Sequence, residues 1–103
     1  MISIANQHLT ASINLKGAEL TSLQLKKKKT EYIWQADPVY WARHAPVLFP
    51  IVGKLKNDEY VFNELIYSLS QHGFARDLEF QVIRHEEAYA ALALKSSPQT
   101  MMM

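Results

Sequence analysis

The chain has 103 residues, 49% of them hydrophobic and 20% charged, with 11 Lys+Arg against 10 Asp+Glu and a formal net charge of +1. These values describe a globular chain of at most one domain, burying roughly 60 to 65% of its unfolded surface. They supply no basic field for duplex nucleic acid and no acidic tail for a basic partner, and the absence of cysteine excludes disulfides, thiolate zinc sites and a cysteine nucleophile.

Met1 to Asn6 carry no cationic stretch leading into a long apolar run, and no apolar segment reaches the ~20 residues of a membrane span. A cytoplasmic location with no membrane partner is therefore expected. Leu9, Ala11, Ile13 and Leu15 share one parity while Thr10, Ser12 and Asn14 share the other, which predicts a half-buried strand. Ile2 and Ile4 predict a shorter strand before it, turning at Asn6-Gln7-His8, and Gly17 ends the alternating run. Leu20 to Leu25 and Thr30 to Gln35 predict two more strands. The four lysines between them, Lys26 to Lys29, read as a solvated loop tip that discourages edge pairing. They could contact phosphates, but no aromatic platform is interleaved as single-strand binding requires, so no nucleic-acid partner is expected.

From Asp37 the texture changes. Pro38, Pro46 and Pro50 punctuate a structured connector that holds at most a short helix over Tyr40 to His44, then an irregular apolar segment from Val47 to Gly53. Glu59 to Phe62 and Leu65 to Leu69 flank a hairpin turn at Asn63-Glu64. Leu78 to Arg84 and Ala88 to Leu94 flank His85-Glu86-Glu87 as a second hairpin, although Ala88 to Leu94 read alone also fits a helix. Phe80, Val82, Tyr89 and Leu92 or Leu94 are available to face a core. Lys95 to Thr100 and the three methionines after them show no capping or turn logic, so the end reads as truncated or non-native. No repeat or linker divides the chain, and the fold class is all-β.

His72-Gly73-Phe74-Ala75-Arg76-Asp77 concentrates an imidazole, a guanidinium and a carboxylate beside one of only three glycines. Gly73 permits a bend and close approach of a ligand, His72 could give or take a proton, and Arg76 could bind a hydroxyl or phosphate oxygen. On spacing alone, a surface hydrogen-bond network is the commoner origin of such a cluster. His8, His44 and His85 fit no metal-ligand spacing, so they read as solvated or structural and no metal site is expected. Trp34, Tyr40, Trp41 and Phe49 could stack on a sugar ring, but large aromatics beside prolines more often fill core. There is no Gly-rich phosphate cradle and no GxSxG elbow.

Tyr40-Trp41 with His44-Ala45-Pro46-Val47-Leu48-Phe49-Pro50-Ile51-Val52-Gly53, and then Gln71-His72-Gly73-Phe74-Ala75-Arg76-Asp77, resemble the galactose mutarotase-like (aldose 1-epimerase) family. The likeness is strongest to its lactose-operon X-protein branch. "GAEL" near the start and the order of these elements also resemble that family's amino-terminal region. The resemblance runs from about residue 2 to about residue 100 and covers about the first third of a family domain. It implies an antiparallel β-sandwich of the supersandwich type, with residues 1–103 an incomplete, amino-terminal part of one such domain.

The resemblance also implies a function: interconversion of the α and β anomers of an aldohexose or sugar phosphate by acid/base ring opening, without a cofactor. His72 matches the first of the family's two histidines, a catalytic position beside the ring oxygen. Lys54 stands where many relatives have arginine after the "FPIVG" element, and Lys54, His72, Arg76 and Asp77 are the expected substrate-binding residues. Asp77 is expected chiefly to orient Arg76 or a backbone turn. The second histidine and the glutamate base have no counterpart here, and Glu86 and Glu87 do not match the base's context, so the chain alone is expected to be inactive. The alternative is a non-catalytic β module that binds sugar or self-associates into a homo-oligomer through unpaired sheet edges.

Overall fold

The alternating run from Leu9 is a strand, and it sits inside a four-stranded antiparallel sheet. This sheet belongs to a computed structural model that describes residues 1–101. Its strands lie in chain order: β1 (Ile2–Ala5), β2 (Leu9–Asn14), β3 (Glu19–Leu25) and β4 (Thr30–Glu31). Asn6 makes the first turn, its side-chain oxygen accepting the N–H groups of His8 and Leu9, both at 2.8 Å. A bulge between Ser12 and Ile13 shifts the register of β2 against β3. The lysines form the exposed turn between β3 and β4.

One sequence expectation fails in this half. The strand expected over Thr30 to Gln35 stops after two residues: the Tyr32 N–H still reaches the Leu23 carbonyl at 2.9 Å, but the Leu23 N–H that would return the bond goes to the Glu31 carboxylate. It accepts the Ser22 hydroxyl at 2.5 Å, the N–H groups of Leu23, Tyr32 and Ile33 at 2.9 to 3.4 Å, and the Gln35 amide at 3.2 Å. Over Tyr40 to His44, where the sequence allowed at most a short helix, none forms. The Asp37 carboxylate accepts the Val39 N–H at 3.0 Å, and its carbonyl accepts those of Tyr40 and Trp41 at 3.0 and 2.9 Å, so the chain turns once and continues irregularly.

Two hairpins follow. In the first, β5 (Glu59–Phe62) pairs with β6 (Leu65–Ser68) around Asn63 and Glu64, whose φ values of 49° and 66° are those a tight two-residue hairpin turn demands. In the second, β7 (Gln81–Glu86) pairs with β8 (Tyr89–Ala93), so Ala88 to Leu94 is strand rather than helix. This hairpin is tied to the first sheet at both ends. The Ala5 N–H donates to the Glu87 carbonyl at 2.6 Å and the His85 ring to the Ser3 carbonyl at 2.7 Å. At the far end, the Gly17 N–H donates to Leu78 at 2.6 Å and the Phe80 N–H to Leu15 at 2.8 Å.

The carboxyl-terminal segment has a cap that the sequence reading missed. Pro98–Met101 is a single helical turn, Pro98 stands at its first position, and the Ser97 hydroxyl accepts the Thr100 N–H at 3.3 Å. Met102 and Met103, to which the non-native reading also applied, lie outside the described residues. Among the described residues no helix is long and apolar enough to cross a membrane.

The all-β expectation stands, but the expected core does not form. Among the described residues Ala11, Leu69 and Ala75 are the buried hydrophobic ones, while Val82 and Tyr89 remain 38% and 50% exposed. Trp34, Tyr40, Trp41 and Phe49, expected as core, are also exposed. The molecule is a slab 56 × 34 × 15 Å with a radius of gyration of 16.5 Å, against ~13 Å for a compact chain of this length. Its surface is 7516 Å², about 1,600 Å² more than a compact protein of 11.8 kDa exposes. Periodicity in the sequence reports which face of a strand is apolar. It does not report what covers that face.

Candidate functional site

The two motifs singled out in the sequence are bonded to each other. In the second, Ser70 to Gly73 form a turn closed by the Gly73 N–H on the Ser70 carbonyl at 2.9 Å, with His72 at φ 63°. That left-handed conformation is uncommon for a residue with a side chain. It is held from the first motif. The His72 N–H donates to the Gly53 carbonyl at 2.8 Å, and the Gly53 N–H donates back to Nδ1 of the His72 ring at 2.8 Å. Beside this pair the Phe49 carbonyl accepts the N–H groups of Phe74 and Ala75 at 3.1 and 3.2 Å. The Phe49 and Phe74 rings meet edge to face at 6.3 Å.

Gly73 is required by this contact. A Cβ there would lie 2.3 Å from the Phe49 carbonyl oxygen and 2.7 Å from Cδ of Pro50, in a backbone at φ 75°. Leu69 and Ala75, two of the few buried apolar residues, flank the turn and anchor it. His72 is thus tied to Gly53 through both its main-chain N–H and its ring Nδ1, and its Nε2 has no bonding partner among the described residues.

Lys54 follows Gly53 directly, so the latch that holds His72 also fixes the backbone beside Lys54. Its ammonium pairs with Asp58 at 2.7 Å, with both groups about half exposed. Such a pair contributes only about 0 to 1 kcal/mol and can yield to a ligand. Arg76 lies in the 3-10 turn Ala75–Asp77, with its Nε buried and unbonded. An unmet buried donor costs about 1 to 3 kcal/mol, so an acceptor there would stabilise the site. Of the two roles expected for Asp77, orienting Arg76 or a backbone turn, the pairing with Arg76 does not form. Its carboxylate bonds Nη2 of Arg43 at 2.9 Å, across a sequence separation that no local pattern could signal.

The remaining candidates lie elsewhere. Glu86 bonds Arg84 at 2.9 Å and Glu87 contacts β1 through its carbonyl, so both belong to the β7–β8 hairpin rather than to the His72 turn. His85 holds β1, as described above. His44 is tied to Glu19, a buried acid whose Oε1 accepts the His44 N–H at 2.6 Å and lies 3.4 Å from its Nδ1. Sequence reasoning missed the roles of Glu19, Arg43 and Gly53. Glu19 had a signal, being the acid in "GAEL" at a strand start; Arg43 had none. Among the described residues there is no group of three or more His, Asp or Glu side chains that could hold a metal ion.

Comparison with known proteins bears on these same motifs. A family model described as Aldose 1-epimerase matches residues 1–101. The plasmid-encoded Protein LacX of Lactococcus lactis subsp. lactis is 35% identical over 103 residues, covering 95% of this chain and 34% of its own length. A galactose mutarotase related enzyme from Lactobacillus acidophilus is 44% identical, with a TM-score of 0.96 over 98% of this chain and 34% of that one. A galactose mutarotase-like protein from Lactobacillus casei ATCC 334 is 40% identical, with a TM-score of 0.96 over 99% of this chain and 35% of that one. The chain therefore spans about a third of the length of the relatives it matches. With a family model matched from end to end of the described residues and two superposable mutarotase-like structures, the chain belongs to the aldose 1-epimerase family and has the galactose mutarotase-like fold.

Proposed function

We propose that this chain forms the amino-terminal part of a single mutarotase-like sandwich domain and carries the ring-oxygen side of a site that interconverts aldose anomers. The observation that carries the proposal is His72, held by both motifs with Nδ1 occupied and Nε2 free. In the reaction the C1–O5 bond breaks with its electron pair passing to O5, which gains a proton from an acid group supplied by chain outside these residues. The C1 hydroxyl loses its proton to a base as C1=O forms. Rotation about C1–C2 and reclosure give the other anomer. His72 Nε2–H polarises O5 by hydrogen bonding. Lys54 and Arg76 bind hydroxyl or phosphate oxygens, and Asp77, paired with Arg43, lines the same segment. No cofactor takes part, and the carboxylate base and a second histidine come from chain outside these residues. The thin slab, its surplus surface and its sparse core support the incomplete-domain reading.

Two measurements test this. Polarimetry of freshly dissolved α-glucose and α-galactose should show no acceleration by the 103-residue chain. A rate above buffer that His72→Asn abolishes would place a base within these residues and refute the division of labour. In a 1H–15N titration, glucose, galactose or glucose 6-phosphate should shift the resonances of Lys54, His72 and Arg76 at ~10 mM, an affinity of about −2.7 kcal/mol. No shift with any of the three would refute sugar recognition.

A second reading, self-association, is favoured by the exposed apolar strands. Val61, Phe62, Leu65 and Ile66 of the first hairpin are all about 60 to 70% exposed. The surplus surface is about twice what one partner buries in a standard interface. Sedimentation velocity from micromolar to hundreds of micromolar should then show a rising mean mass. A monomer throughout would refute it.

A further inference from the structure

The geometry points to Gly53 as the positioning residue of this site: its backbone holds His72 in the single tautomer that makes the imidazole a donor from Nε2. The inference takes its functional meaning from the sugar-site reading above, but its structural content stands apart from it.

In the neutral ring one nitrogen carries the proton and the other accepts, and the hydrogen bond made by one nitrogen decides the state of the other. The Gly53 N–H can only donate, and it points at Nδ1 from 2.8 Å. Nδ1 must therefore carry a lone pair, which leaves the proton on Nε2. Protonating Nδ1 as well would set two donors against each other across that distance. The return bond, His72 N–H to the Gly53 carbonyl at 2.8 Å, closes a two-point bridge that fixes the Cα of His72 together with its ring. Rotation of the ring about χ2 would exchange the acceptor for a carbon and lose the Gly53 bond. The ring is therefore fixed in orientation as well as in proton position.

Two consequences bear on chemistry. His72 in this state can stabilise negative charge or a lone pair opposite Nε2, as on a ring oxygen. It cannot serve as the base that receives a proton, because its only lone pair is occupied. The arrangement also gives the glycine ending "FPIVG" a role beyond bending: at φ 90° Gly53 turns its N–H toward His72. No other atom lies within 4 Å of where its Cβ would be, so packing does not demand a glycine there.

The other histidines supply internal contrasts. The His85 ring meets the Ser3 carbonyl through Nε2, which must carry a proton there. His44 presents Nδ1 to the Glu19 carboxylate at 3.4 Å, which favours a proton on Nδ1.

The test is a long-range 1H–15N correlation spectrum of the uniformly 15N-labelled 103-residue chain near neutral pH, with His72 assigned by its disappearance in His72→Asn. The expected pattern for His72 is a protonated Nε2 and a bare Nδ1. A proton on Nδ1, or the averaged signals of exchanging tautomers, would overturn the inference. Amide exchange reads the bridge from the other side. His72→Asn keeps a side-chain oxygen that can accept the Gly53 N–H and suits a positive φ, so that amide should stay protected. In His72→Ala it should exchange at least tenfold faster, while Gly73 N–H, bonded to Ser70, should be unchanged. Equal protection of Gly53 in the two variants would overturn the inference even if both stay folded. A sugar titration without response would remove the functional reading and leave the tautomer result standing.

Discussion

Replacing Gly73 by alanine and, separately, Gly53 by alanine makes the same chemical change at two positive-φ positions whose surroundings differ. At either site an L side chain in left-handed backbone costs about 1 to 2 kcal/mol. At Gly53 the new methyl meets nothing within 4 Å, so that cost is the whole effect. At Gly73 the methyl would stand 2.3 Å from the Phe49 carbonyl oxygen, 2.6 Å from the carbonyl carbon and 2.7 Å from Cδ of Pro50. Relief to ordinary contact, ~3.5 Å, requires the two segments to part by about 1 Å. That displacement breaks the bonds of the Phe74 and Ala75 N–H groups to Phe49 and leaves partly buried groups unmet, at about 1 to 3 kcal/mol. Gly73→Ala should therefore destabilise by about 2 to 5 kcal/mol and Gly53→Ala by about 1 to 2, the difference of about 1 to 3 kcal/mol being roughly 5- to 150-fold in the folding equilibrium. Urea titration followed by the fluorescence of Trp34 and Trp41 measures both, compared at equal m. Equal losses to within ~0.5 kcal/mol would refute the claim that close packing of the two motifs holds this turn.

Two further outcomes follow from the same structure. The hydroxyl of Ser22, assisted by backbone N–H groups and opposed by desolvation, holds the Glu31 carboxyl below its ordinary value of 4.5. Its stabilisation is present above the unfolded value and is lost as pH falls through the lower folded value. Amide exchange at Leu23, whose N–H is held by this carboxylate, should therefore rise below about pH 4.5 in the wild type, whereas Glu31→Gln should show no such step; matching profiles would refute the assignment. Glu19→Ala should cost about 1 to 3 kcal/mol by stranding the His44 N–H, with Glu19→Gln recovering part of the loss because its amide oxygen can still accept. Equal urea midpoints for the two variants would show that the bond does not hold the loop.

Much of the strand plan was legible because it is local. Alternation marked β2, and Asn63-Glu64 marked a turn whose geometry two positive φ values then met. The error arises where a side chain outcompetes the ladder. Nothing in Thr30 to Gln35 announces that the Glu31 carboxylate will take the Leu23 N–H from the ladder. The site was legible as two motifs, through resemblance, but not as a bonded pair. That Gly53 reaches His72, and that Asp77 chooses Arg43 over Arg76, depend on chain reversals between them.

The bridge between Gly53 and His72 also closes the base of the β5–β6 hairpin, whose chain leaves at Lys54 and returns at Gln71. Whatever lies between those points is an excursion with both ends pinned. Lengthening such an excursion costs slowly, about 0.6 kcal/mol for each doubling of a flexible loop, and the pinned ends do not move. The tip at Asn63-Glu64 is therefore a natural port for insertion. A peptide tag or reporter placed there would ride on the hairpin while the imidazole keeps its place.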